Sequence, residues 1–190
     1  MQHFTLTGLD PKAGRATAEC LQERLVAVSD LSLVLKHIHW NVVGPAFIGV
    51  HQMVDEQVKG VQKMVDVLAE RIAALGESPN ALAGTIASTR SWDEYSIGRG
   101  TVMQHLGGLD LVYQGVLGSH RDAIERLETL DPVSQDIVVG QAAELESYHW
   151  FVRSHLETPD GQLTTEGAGS ERAAAAQAED SVRPTTFSNA

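Results

Sequence analysis

The sequence predicts an all-α protein, a four-helix bundle with a crossover connection between its second and third helices. Alanine, leucine, valine and glutamate dominate the composition, as they do in helical chains. Apolar residues recur at helical spacing along extended stretches. A long, turn-rich segment near the middle of the chain is unusual for a simple helical hairpin and suits a crossover with one short extra helix.

The first helix opens at Asp10-Pro11, where an N-cap carboxylate precedes a proline suited to the first helical turn. Leu21, Leu25, Val28, Leu31, Leu35 and Ile38 then form its apolar stripe. It should stop near Asn41, because Gly44-Pro45 breaks the helical backbone. A second helix starts near Gly49 and runs to about Leu75, with Gly76 fitting the residue just past its end. Residues 76–98 read as the connection. A third helix covers about 99–129, and Asp131-Pro132 repeats the cap-plus-proline signal for a fourth that ends near Glu157. From Thr158 onward the composition turns to Gly, Ser, Thr and Ala without a hydrophobic period. The reading is therefore one bundle domain, residues 1–157, and a mobile acidic tail, residues 158–190.

The chain has 190 residues, is 43% hydrophobic and carries a net charge of −11. That is enough apolar material for one sizeable core. The charge disfavours nucleic acid as a default partner and favours cations. Cys20 is the sole cysteine, so no intrachain disulfide is possible and a reducing compartment fits. The start shows no signal-peptide pattern and no apolar run approaches a membrane span, so a soluble cytoplasmic protein is expected.

The chemistry concentrates in HWNVVGPAFIGVHQMVDE, residues 39–56. His39 lies on the first helix; His51, Asp55, Asp66 and Glu70 lie on the second. The pairs His51/Asp55 and Asp66/Glu70 are each four residues apart and share a helix face. At about 100° per residue all four fall within about 100° of one another around the axis, as one stripe. The rise of the helix puts Asp55 roughly 16 Å from Asp66. Bonds to a first-row metal are on the order of 2 Å, so the two pairs of one chain cannot hold the same ion. A two-fold axis removes the difficulty. The midpoint of 55 and 66 is 60.5, and so is that of 51 and 70. If the helix crosses its own copy antiparallel near Gly60-Val61, each pair meets its complement on the partner. Gly60 would then permit a close approach of the two backbones. Two imidazoles and three carboxylates suit iron or another first-row divalent ion better than structural zinc.

A plainer reading competes: each pair could be solvated helix surface, with Glu70 paired to Arg71 or Lys63. Trp40 and Trp150 could each pack in the core or stand beside a metal. His37 lies on a different face from His39 and reads as a non-ligand. His105, His120, His149 and His155 show no carboxylate pairing that converges on one site.

At LKHIHWNVVGPAFIGVHQMVDE (35–56) and DVLAERIAALGESP (66–79) the chain resembles the Dps family, ferritin-like DNA-binding proteins from starved cells. SWDEY, LDLVYQGV and ELESYHWFVRSHLE extend the resemblance over about residues 5–157, and the ligand spacings of 12, 4, 11 and 4 agree with it. The resemblance implies a ferritin-like subunit and a hollow homododecamer of 23 symmetry with two-iron ferroxidase centres at its two-fold interfaces. It assigns His39, His51 and Asp55 from one subunit, and Asp66 and Glu70 from the other, with Trp40 beside the centre as a radical acceptor. It implies oxidation of Fe(II), typically with hydrogen peroxide, and storage of Fe(III) as mineral inside the shell. Acid-lined pores would admit the cations, with Asp136 at the family's pore position and Asp131 and Glu128 nearby; Asp131 is also a plain N-cap. The departure concerns DNA, because family members that compact it use basic tails. Here five tail acids face two arginines, so DNA binding should be weak or absent. A nucleoid-associated DNA binder and a metal-dependent hydrolase on the same scaffold are the alternative functions.

Overall fold

The computed structural model describes residues 8–183. Four long helices form the body: α1 (Pro11–Asn41), α2 (Phe47–Ala74), α4 (Val102–Glu128) and α5 (Pro132–Leu156). Two short ones, α3 (Ala83–Thr89) and α6 (Glu171–Ser181), complete the helical elements among the described residues. The four expected long helices are all present, close to their expected limits, and α3 is the short helix of the crossover.

The helix starts follow the capping signals. Asp10 Oδ1 accepts from the backbone N–H groups of Lys12 and Ala13, satisfying donors that the first turn otherwise leaves open. Thr101 and Gln104 form a reciprocal capping box at the start of α4. Asp131 caps α5, and its carboxylate accepts from the N–H groups of Val133 and Ser134.

The predicted stripe of α1, from Leu21 to Ile38, is fully buried. It packs on α2 through Val50, Val54, Val58, Val61, Met64, Leu68 and Ile72, which recur at three- and four-residue intervals. Leu106, Leu109, Val116 and Leu127 of α4 and Val138, Leu145 and Val152 of α5 close the other side. Tyr113 sits in the middle with no exposed surface, and its hydroxyl donates to Gln57 Oε1 at 2.8 Å.

Three features depart from the sequence reading. First, the chain between α1 and α2 is pinned to the crossover. Val42–Val43 (β1) runs parallel to Gly100–Thr101 (β2), with Val42 opposite Gly100 and Val43 opposite Thr101. Second, residues 158–183 are not a mobile tail. Thr165 is buried, and α6 lays Ala174, Ala175 and Ala178 against α4. The close approach needs Gly107, where a Cβ would fall 2.6 Å from the carbonyl oxygen of Ala174. Alanine buries little apolar area, so the segment shows no hydrophobic period; its signals were the Ser170 cap and the alanine run. Residues 184–190 of the expected tail lie outside the described residues. Third, Gly60 faces its own bundle. A Cβ there would overlap the Tyr148 hydroxyl and come 2.7 Å from Glu144 Oε1, so α5 of the same chain, not a partner helix, explains this glycine.

Candidate metal centre

The Gly44-Pro45 break folds α2 back along α1 and brings His39 and His51 together. Their rings stack, with centroids 3.7 Å apart and planes inclined by 24°. Each imidazole donates to the other's backbone. His39 Nδ1–H reaches the carbonyl oxygen of His51 at 3.1 Å, and His51 Nδ1–H reaches that of His39 at 2.9 Å. A carbonyl can only accept, so each ring carries a proton on Nδ1, and the tautomer this selects has its lone pair on Nε2. That tautomer suits a metal ligand, fixed by a backbone acceptor behind it.

Asp55 stands one turn beyond His51 and lies 3.7 Å from His39 Nδ1. Its carboxylate is held by Lys36 Nζ at 2.8 Å, with Lys59 Nζ at 4.0 Å. The Lys36 hydrogen bond keeps the Asp55 carboxyl below its usual range. Sequence spacing gave no sign that two ammonium groups converge on this carboxylate.

Asp66 and Glu70 lie farther along α2, and both are exposed. Neither makes a hydrogen bond or ion pair among the described residues. The plainer reading of Glu70 as a partner of Arg71 does not hold, because Arg71 is committed elsewhere: Nη2 to Asp131 Oδ2 at 2.6 Å and Nε to Ser134 Oγ at 3.0 Å. The five side chains thus divide. One chain brings His39, His51 and Asp55 together at one end of α2, and leaves Asp66 and Glu70 open at a distance. No group of three or more His, Cys, Asp or Glu side chains able to hold a metal forms within the described residues of one chain.

The two tryptophans are not core residues of this chain. Trp40, next to His39, is 72% exposed, and Trp150 is 62% exposed beside Phe151. His37 turns to the crossover, its Nε2–H donating to the carbonyl oxygen of Ile97 at 2.7 Å. Asp136 and Glu128 are exposed. Asp131 is a correction as a pore-lining residue: it is 2% exposed and bound to Arg71 and to its own helix start, which leaves its carboxylate no free face.

One polar network escaped the sequence reading. His149 Nε2–H donates to buried Asp110 Oδ1 at 2.6 Å, while Thr165 Oγ1 and Gln114 Nε2 donate to Oδ2. Burial opposes ionisation of Asp110, and the bonds from His149 and Thr165 outweigh it, so its carboxyl is held below the usual range. His149 follows Asp110 by 39 residues on another helix, so no local spacing announces the pair.

This bundle is that of a ferritin-like domain, whose family model matches residues 18–160. The DNA protection during starvation protein of Mycolicibacterium smegmatis is 53% identical over 178 residues, covering 94% of this chain and 97% of that protein. A solved structure of Mycobacterium smegmatis Dps superposes with a TM-score of 0.87 at 53% identity, covering 89% of this chain and 97% of that one. The fine tangled pili major subunit of Haemophilus ducreyi is 45% identical over 159 residues, 84% of each chain. The protein belongs to the Dps family of ferritin-like proteins.

Proposed function

We propose that this protein is a ferroxidase that takes Fe(II) as substrate at a centre shared by two copies of the chain, and stores the product inside a hollow homododecamer. The observation that carries this reading is the division of the ligands. His39, His51 and Asp55 are preorganised at one end of α2, while Asp66 and Glu70 are exposed and unpaired roughly 16 Å away by helix rise. Antiparallel copies related by a two-fold axis would join each half to its complement.

Within that arrangement the carboxylates of Asp66 and Glu70 supply hard anionic oxygens that favour the ferric product. His39 and His51 would offer their Nε2 atoms, the rings held in place by backbone carbonyls. Two Fe(II) ions each give one electron to a single hydrogen peroxide; its O–O bond breaks and, with two protons taken up, two waters form. Paired delivery avoids release of hydroxyl radical. Trp40, exposed and next to His39 in sequence, would donate an electron to a stray oxidant.

The relative's name speaks of DNA protection. For this chain, at −11 net charge, we read protection as removal of Fe(II) and peroxide, with weak or no direct DNA binding. No helix among the described residues is long and apolar enough to cross a membrane, and a cytoplasmic location suits the single buried thiol of Cys20. Hydrolysis draws no support from these relatives or from the site. The deciding experiment is stopped-flow oxidation of Fe(II) by peroxide, wild type against Asp66→Ala/Glu70→Ala. The double variant should lose most of the rate, and equal rates would reject the centre. Retention of plasmid in a gel shift at about 150 mM salt would reject the DNA reading.

A further inference from the structure

The twelve-residue step from His39 to His51 contains β1, whose strand partner is β2. The C-terminal helix reaches β2 directly. Thr101, which pairs with Val43, donates its hydroxyl hydrogen to Glu179 Oε2 of α6. A second link runs alongside. Arg172 Nε donates to Ser96 Oγ at 3.1 Å, and the neighbouring Ile97 carbonyl accepts from His37 in the last turns of α1. In that last turn Asn41 Nδ2 donates to the His37 carbonyl at 2.8 Å, tying off the helix end next to His39 and Trp40. Both links start on α6 and end on the segment that sets the two imidazoles against each other.

We propose that α6 is a positioning element of the metal centre, with Glu179 acting through Thr101 and β1 to hold the His39–His51 pair in register. The inference rests on the iron-oxidation reading of that pair. Glu179 touches no substrate; it limits the freedom of the α1–α2 turn. Apart from Val42, Leu75 and Ala178 the core residues lie in α1, α2, α4 and α5, so weakening this one link leaves the fold standing while the histidine geometry loosens.

The test uses the full-length assembled protein in wild type, Glu179→Ala, Glu179→Gln, Gly107→Ala and Asp180→Ala forms. Glu179→Gln keeps an acceptor for Thr101. Gly107→Ala pushes α6 from α4 as a whole, because the new Cβ would meet Ala174. Asp180→Ala alters the exposed neighbour, which pairs with Arg183, and serves as control. Three quantities are read: KM and kcat for Fe(II) oxidation by peroxide, Co(II) affinity from its visible absorption bands, and hydrogen exchange over residues 37–43 and 95–101. Glu179→Ala should raise KM and weaken Co(II) binding by about three- to ten-fold, with kcat within about two-fold, and speed exchange in both segments. Glu179→Gln should restore most of this, Gly107→Ala should reproduce it, and Asp180→Ala should match wild type. Glu179→Ala indistinguishable from wild type in KM and Co(II) affinity overturns the proposal, as does an equal effect of Asp180→Ala. Should Glu179→Ala fail to assemble, Arg172→Ala reads the same coupling from the Ser96 side. A wild type that neither binds Co(II) nor oxidises Fe(II) sinks the metal-centre reading; a competent wild type with unaffected variants sinks only the role of α6.

Discussion

Replacing Asp131 by alanine should destabilise the protein severely without touching the candidate metal ligands. Three consequences converge on one carboxylate that is 2% exposed. The first turn of α5 loses the acceptor for the N–H groups of Val133 and Ser134, a cap worth about 1 kcal/mol. Arg71 on α2, whose side chain is only 15% exposed, loses the anion 2.6 Å from its Nη2. Stranding one member of a buried pair costs about 3 kcal/mol or more. The Ser134 hydroxyl loses its acceptor as well. These effects share atoms and do not simply add, so a total of about 3 kcal/mol is expected, a fall in Tm of roughly 6–12 °C for a chain of this size. Asp131→Asn keeps a cap oxygen and should fall in between. The pH dependence has a definite sign. Burial opposes ionisation of Asp131, but the bonds from Ser134 and Arg71 outweigh it and hold the carboxyl below its usual range. Its stabilisation is therefore fully present above the ordinary carboxylate pKa and is lost as the pH falls through the lower folded value. The gap between wild type and Asp131→Ala should narrow in acid. Guanidinium unfolding followed by helical circular dichroism, at equal subunit concentration, measures this. A penalty below about 0.5 kcal/mol at neutral pH would refute the reasoning.

Other expectations follow from the same geometry. Asp136→Asn, at an exposed position, should leave unfolding unchanged and slow mineral formation if the acid guides cations, which iron-uptake kinetics will read. Gly60→Ala should cost about 1–3 kcal/mol through its overlap with the Tyr148 hydroxyl, and adding Tyr148→Phe should return part of that in a double-mutant cycle. His105 and His120 are both fully buried, and burial lowers each pKa to about 4. The unfolded chain takes up their protons first, so stability should decline as pH falls from about 6.5 towards 4, and more shallowly in His120→Gln. Lys36→Met should free Asp55 from its closest cation and raise its pKa, visible by NMR titration of the carboxyl carbon.

The sequence by itself determined where the helices run and at what spacing the candidate ligands sit along them. Helix periodicity and capping are local properties, so the stripe from Leu21 to Ile38, the Asp10 and Asp131 caps and the short crossover helix were legible in the chain. The division of the candidate ligands into two groups along α2 was legible too, because a regular rise and rotation turn spacing into distance. Tertiary structure alone decided what occupies each group. It gave Asp55 to Lys36, Arg71 to Asp131 and His149 to Asp110, and set Gly60 against Tyr148 instead of a partner helix. It also turned an alanine-rich segment without hydrophobic period into a helix seated at Gly107. Side chains far apart in sequence meet only when packing fixes both backbones, and small residues dock only where another surface is already shaped to receive them.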